Sequence, residues 1–114
     1  AIGGAGSLYV DEDHTVQLND TPEFPPEFLV RSKTHAKSDD ILRKFSNVDW
    51  TMFTPPPILD AEGPESNDYV LGNENVILNK EGKPYISYAT FAQILVDEIN
   101  NHKFGRQRFT AVQN

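Results

Sequence analysis

Three consecutive prolines, Pro55, Pro56 and Pro57, follow directly on VDWTMF, and no other stretch restricts the fold as sharply. Proline has no N–H to give a strand ladder and fixes its own φ, so a strand running through VDWTMF must end there. The chain then leaves the sheet extended and stiff. Alternation before the stop places Val48, Trp50 and Met52 on one side and Asp49, Thr51 and Phe53 on the other.

A second strand end stands at the start. Ala1 and Ile2 read as the last residues of a buried strand, and Gly3, Gly4 and Gly6 permit a tight turn where backbone can approach a ligand. No initiator methionine, signal peptide or basic presequence precedes this turn, so the expectation is a chain cut inside a domain. The segment YVDEDHTVQLNDTPEFPPEF is polar, holds Pro22, Pro25 and Pro26, and shows no period. A long unstructured excursion of this kind is either a lid over a binding site or a plain surface loop.

Helix signals run from Pro26 through Phe45. Phe28, Arg31, His35, Ser38, Leu42 and Phe45 share a face, with Ile41 beside them. That face is polar in its middle, so the helix either lies across a crevice or is half exposed. YVLG and NVILN are short strand candidates about the turn residues NEN. Ser87 is placed to cap a helix from Tyr88 to His102 whose apolar face is Phe91, Ile94, Leu95 and Val96, continued by Ile99, and RQRFTAV closes the chain as a strand. Alternating strands and helices favour an α/β architecture with a mostly parallel sheet, whose ligand crevice lies outside the carboxyl ends of the strands. The GGAGS and TPPP turns both lie at such ends and can border one site.

Length and composition bound the partners. With 114 residues the chain supplies one domain, whole or partial. Seventeen acidic against ten basic residues give a net charge of −7, which argues against nucleic acid. Only Arg106 and Arg108, with Lys103 nearby, are grouped to meet an anion, and the cluster reads more readily as a solvated strand end. Cysteine is absent and His14, His35 and His102 are scattered, so no metal site is expected. The longest apolar run, ILVDEI, is broken by charge, so no membrane span is expected; the cysteine-free composition is compatible with a cytoplasmic location. The pairs Asp39/Asp40 and Asp97/Glu98 sit at adjacent helical positions and do not face each other, which excludes a two-carboxylate hydrolase site built from either.

In order and across nearly the whole chain, GGAGSL, a helix ending in DDILR, VDWTMFTPPPIL, YVLG, ISYATFAQILVDEI and RQRFTAV resemble the carboxyl-terminal half of a known family. That family is the NAD(P)H-binding, atypical short-chain dehydrogenase-like proteins of the NADH-flavin reductase type. The resemblance implies the carboxyl-terminal part of a Rossmann-like, mostly parallel doubly wound sheet with a small hairpin region. Residues 1–114 are then the substrate-side half of an NAD(P)-binding domain whose first half, with the glycine-rich fingerprint, is absent. GGAGS is not G-x-G-x-x-G, and no other strand-glycine-helix arrangement here holds a pyrophosphate, so the chain alone is expected to bind a dinucleotide poorly or not at all.

The resemblance also assigns roles. It puts Gly4, Ala5, Gly6 and Ser7 near the nicotinamide end of the cofactor, and it matches Ser7 to a serine that hydrogen-bonds a substrate carbonyl. Arg31 and His35 occupy the positions of the Tyr-x-x-x-Lys pair of conventional dehydrogenases, so neither member is kept. His35 is left as a candidate to hydrogen-bond substrate or ribose. Thr54, Pro55, Pro56 and Ile58 match the segment that packs against the nicotinamide. The residues by themselves also allow a ligand-free turn, a serine satisfying loop backbone, a structural histidine and a rigid strand exit.

The function implied is part of an NAD(P)H-dependent oxidoreductase that passes hydride to flavin or a quinone-like acceptor, with the isolated piece inactive. The alternative is a non-catalytic NAD(P)H-sensing regulator of the same fold, which the lost Tyr-x-x-x-Lys pair favours. A third reading, an independent binding module, conflicts with the abrupt apolar start, which leaves a sheet edge prone to association. Expected partners are a dinucleotide, a small acceptor, and either a second copy or the missing half of the domain.

Overall fold

The computed structural model describes residues 1–45 and 47–114. Its main sheet holds β1 (Thr51–Phe53), β5 (Gln107–Gln113) and β3 (Tyr69–Gly72) in the order β1-β5-β3. β1 runs parallel to β5 with Phe53 opposite Phe109, and Ile2 extends the same side through a parallel bridge to Phe53. β3 is antiparallel to β5. A separate parallel pair, β2 (Ile58–Asp60) and β4 (Tyr85–Ser87), stands beyond the proline segment.

The proline stop acts as the sequence requires. β1 ends at Phe53, the Thr54 N–H still donates to Phe109 O at 2.9 Å, and the next strand residue is Ile58 in the second sheet. The expected hairpin does not form. YVLG becomes β3 but pairs with β5, whereas residues 75–79 make no strand; the Val76 N–H instead donates to Tyr9 O at 2.9 Å. The seven-residue β5 offers a longer ladder than NVILN, and β3 takes it.

Helices α1 (Leu29–Arg43) and α2 (Tyr88–Asn101) cover opposite faces. Ser87 caps α2 as its sequence position requires, accepting the Thr90 N–H at 3.1 Å. Phe91 of α2, Phe53 of β1, Phe109 of β5 and Phe104 of the α2–β5 connection stack in one nearly parallel column, with ring centroids 4.1, 4.3 and 4.4 Å apart. Each such ring pair adds about 0.5–1.5 kcal/mol to the burial itself. Ile86, Ile94 and Ala111 complete this core. Val96 and Ile99 do not join it: they are 53% and 71% exposed, because the buried face of α2 runs through Phe91, Ile94 and Glu98. Glu98 is tolerated inside because it accepts the N–H groups of Lys103 and Phe104, both at 3.0 Å.

On the other face, α1 buries Ser32 and Asp39 rather than the expected stripe. Pro26 opens a single 3-10 turn before it. Arg31 and His35 look onto a cavity, and Ile41 and Phe45 remain exposed. A test of this packing is Phe53→Ala, which should lower the unfolding free energy by about 3–5 kcal/mol, against about 0.5 kcal/mol or less for Val96→Ala. Equal losses in urea denaturation would contradict the observed orientation of α2.

Candidate functional site

Gly3, next to the Ile2–Phe53 bridge, donates its N–H to Phe53 O at 2.9 Å, so the glycine turn and the proline exit emerge side by side. Residues Ala5–Ser7 then make a 3-10 turn on which α1 lies. A Cβ on Gly6 would fall 1.8 Å from Ser32 Oγ, and one on Gly4 would fall 3.1 Å from the Cβ of His35. The smallness of both residues is therefore already used by the helix. That helix contact is a different reason for glycine from the close ligand approach that the sequence suggests.

Between this turn, α1 and the flap of residues 18–28 lies a cavity of about 500 Å³. Gly4, Ala5 and Gly6 form its floor and Arg31 and His35 stand on its helical wall. Leu18, Phe24, Pro25 and Phe28 supply apolar sides, and Pro57 closes it from the proline segment. The structure thus brings Gly4, Ala5, Gly6 and His35 together. Thr54, Pro55 and Pro56 lie buried behind them, and Ile58 is exposed on β2, off the cavity.

Ser7 is turned away from the cavity. It is 3% exposed, its Oγ donates to Gly4 O at 2.8 Å, and Arg108 donates to both its hydroxyl and its carbonyl. This hydroxyl is engaged by Gly4 and Arg108 and does not line the cavity. In this 3-10 turn the side chain of residue 7 folds back on residue 4.

Arg108 is the larger surprise. Read from sequence as anion-binding or solvated, it is 2% exposed as the second residue of β5. Its Nε and Nη2 donate to Glu74 Oε1 at 3.0 and 2.9 Å, and its guanidinium lies 5.9 Å from the centre of the Tyr9 ring. Glu74 also accepts from Arg43 of α1 at 2.8 Å, and Arg43 Nε donates to Asp39 at 2.9 Å. The network Ser7–Arg108–Glu74–Arg43–Asp39 ties turn, sheet and helix together. Sequence reasoning missed Glu74 altogether; the one available signal was an arginine in an otherwise buried strand pattern, which demands an acid.

The flap is pinned to α1. Asn19 Nδ2 donates to Ser32 Oγ at 3.0 Å, and Lys33 Nζ reaches Asn19 Oδ1 at 3.1 Å and Asp20 Oδ1 at 2.6 Å. The Lys33 ammonium, followed by the Gln17 N–H, holds the Asp20 carboxyl below its ordinary range. Among the described residues, no group of three His, Asp or Glu side chains is placed to hold a metal, and no helix is long and apolar enough to cross a membrane.

One polar atom is left over at the strand ends. Thr54 Oγ1 is buried with no hydrogen-bond partner, against Gly3, where a Cβ would come within 2.5 Å of it. A diphosphate is usually held by two or more free backbone N–H groups at a helix start. Neither helix offers these beside the site: α1 starts from a 3-10 turn in the flap, and α2 is capped by its own serine.

These features define a Rossmann-like α/β fold with mostly parallel strands and helices packed on the sheet. No protein-family model matches the chain. It is 40% identical over 111 residues to YwnB of Bacillus subtilis (strain 168), described as uncharacterized, and covers 97% of this chain and 52% of that protein. A crystal structure from Streptococcus pneumoniae TIGR4, described as a "putative NADH-flavin reductase", superposes with a TM-score of 0.94 at 38% identity, over 99% of this chain and 54% of that one. A Burkholderia pseudomallei structure described as a "putative exported protein" gives 0.88 at 32% identity, over 97% and 52%. A Bacteroides thetaiotaomicron structure described as a "putative epimerase" gives 0.89 at 29%, over 98% and 51%. The chain spans about half the length of the proteins it matches.

Two outcomes test the site's framework. Glu74→Ala strands a buried guanidinium and should cost about 3–5 kcal/mol of stability, while Arg43→Met, on the exposed side of the same carboxylate, should cost about 1 kcal/mol or less. The flap contact is pH-dependent: a carboxyl with a lowered folded pKa contributes fully above its unfolded value and loses that contribution as pH falls through the folded one. Amide protection at Asp20 and Thr21, measured against that of β5, should therefore drop below about pH 4. The drop should be smaller in Lys33→Met.

Proposed function

We propose that this chain is the acceptor-side half of an NAD(P)H-dependent oxidoreductase, passing hydride to a flavin or a quinone-like acceptor. The observation that carries the reading is the cavity at the carboxyl edge of the sheet, floored by Gly4–Gly6 and closed by Pro57. In open α/β sheets ligands bind outside this edge, and a largely apolar cavity with few polar groups is the usual form of a small-molecule site. The printed description of the Streptococcus pneumoniae neighbour supports the same direction.

Gly3, Gly4 and Thr54, with Pro55 and Pro56 as rigid backing, would meet the nicotinamide end of NAD(P)H, which supplies the hydride. His35, packed on Gly4, would hydrogen-bond the acceptor or ribose. Ser7 serves as a positioning residue that holds the turn. Among the described residues no tyrosine lines the cavity, so the protein orients two rings rather than supplying a phenolic acid. The diphosphate grip belongs to an upstream half, whose seat is the apolar surface at Ile2, Ile41, Phe45 and Ile99. A cytoplasmic location completes the reading.

Calorimetric titration of the full-length protein should give saturable heat with NADPH or NADH. Silence with both overturns the proposal. The lack of an acid favours a second reading, a cofactor-occupancy sensor, and the two part on one measurement: steady oxidation of NADPH in the presence of free flavin supports the reductase and rejects the pure sensor.

A further inference from the structure

Arg31 has no carboxylate partner among the described residues. Lys33, Arg43, Lys80, Lys83 and Arg108 all pair with acids, and Arg106 is engaged. Of the remaining cations, Lys37 and Lys44 lie on or just past α1 away from any cavity, and Lys103 borders a small cleft together with Asp97 and Glu98. Arg31 alone lines the large apolar cavity.

Its position on α1 gives that charge a direction. His35 sits against Gly4 at the floor, and Arg31 stands one helical turn earlier, about 6 Å further along the wall. A flat ring seated on the glycine turn between the apolar sides would therefore send a substituent toward the guanidinium. A guanidinium prefers phosphate or carboxylate, which it meets with two parallel hydrogen bonds. Glu23 on the flap rim is the other charged group facing the cavity, and its carboxylate opposes an anion, so the selectivity rests on Arg31 against Glu23.

Building on the oxidoreductase reading, we propose that Arg31 holds an anionic arm of the acceptor, so that the cavity selects planar aromatic acceptors carrying phosphate or carboxylate over their neutral counterparts. Flavin mononucleotide and riboflavin share one ring and differ in the phosphate, which makes them the probes. Flavin fluorescence quenching on the full-length protein should show the mononucleotide bound about tenfold tighter, the size of one exposed charge-assisted contact. Arg31→Ala should erase that preference and leave riboflavin affinity unchanged, while Arg31→Lys keeps part of it. Glu23→Gln should raise the preference, and Lys37→Ala should leave it alone. In turnover, Arg31→Ala should raise KM for the mononucleotide with kcat unchanged.

Equal affinities in the unmodified protein, an equal loss of both ligands in Arg31→Ala, or no binding of either flavin overturns the proposal. Oxidation of NADPH by a quinone in that last case leaves the oxidoreductase reading standing. A flavin mononucleotide preference without any NADPH or NADH binding does the reverse.

Discussion

The charge of Arg108 cannot be left alone where the fold puts it. A guanidinium buried at the start of a strand loses its water, and only a carboxylate with further hydrogen bonds offsets that loss. Glu74 takes two of its donors and Ser7 takes two more, one on the hydroxyl and one on the carbonyl. Because the same Ser7 hydroxyl donates to Gly4 O, the position of one charge on β5 sets the conformation of the turn that floors the cavity. Glu74 passes the constraint on to α1 through Arg43, whose guanidinium also lies 5.8 Å from the centre of the Trp50 ring. Turn, helix and sheet hold their mutual positions through this one set of contacts.

What the sequence made legible was local chemistry. The proline stop, the Ser87 cap, the parallel strand and helix alternation and the glycine bend each follow from residues next to one another, and each is present. What it hid depends on distant partners. Arg108 and Glu74 lie 34 residues apart, and Glu74 sits in a stretch that reads as a hairpin turn. On α1 the 3.6-residue period correctly groups Arg31, His35, Ser38 and Leu42, yet periodicity does not say which face is buried. Here the buried face is Ser32 and Asp39, since the surface beneath is a glycine turn and an ion-pair network rather than an apolar sheet. The same limit explains Val96 and Ile99 on α2.

Part of the exposed apolar surface is grouped. Ile2, Ile41, Leu42, Phe45 and Met52 border a groove of about 380 Å³ on the α1 side of the N-terminal segment. Leu95, Ile99 and Phe53 border another of about 180 Å³ on the α2 side. Both flank the strand edge at Ala1–Gly3, whose outer backbone is open. An open, apolar-flanked parallel edge is a poor surface to leave in water. Under the proposed reading, a chain about half as long as the proteins it matches should show bare apolar surface here, on both faces of the sheet at one edge.

The small residues at positions 3 to 6 answer to different neighbours: Gly3 to Thr54, Gly4 to His35, Gly6 to Ser32, and Ala5 to the cavity. None is spare. A turn packed this closely on both sides has little freedom to adapt to a ligand, so the cavity floor is fixed before anything binds, and the ordering cost is met in folding rather than in recognition. That rigidity, combined with a serine hydrogen-bonded to Arg108 and no phenol among the described residues lining the cavity, leaves the site better suited to holding a ring at a set distance than to delivering a proton. The proposed hydride transfer between two bound rings asks for the first, with the proton that completes the reduced acceptor taken from water.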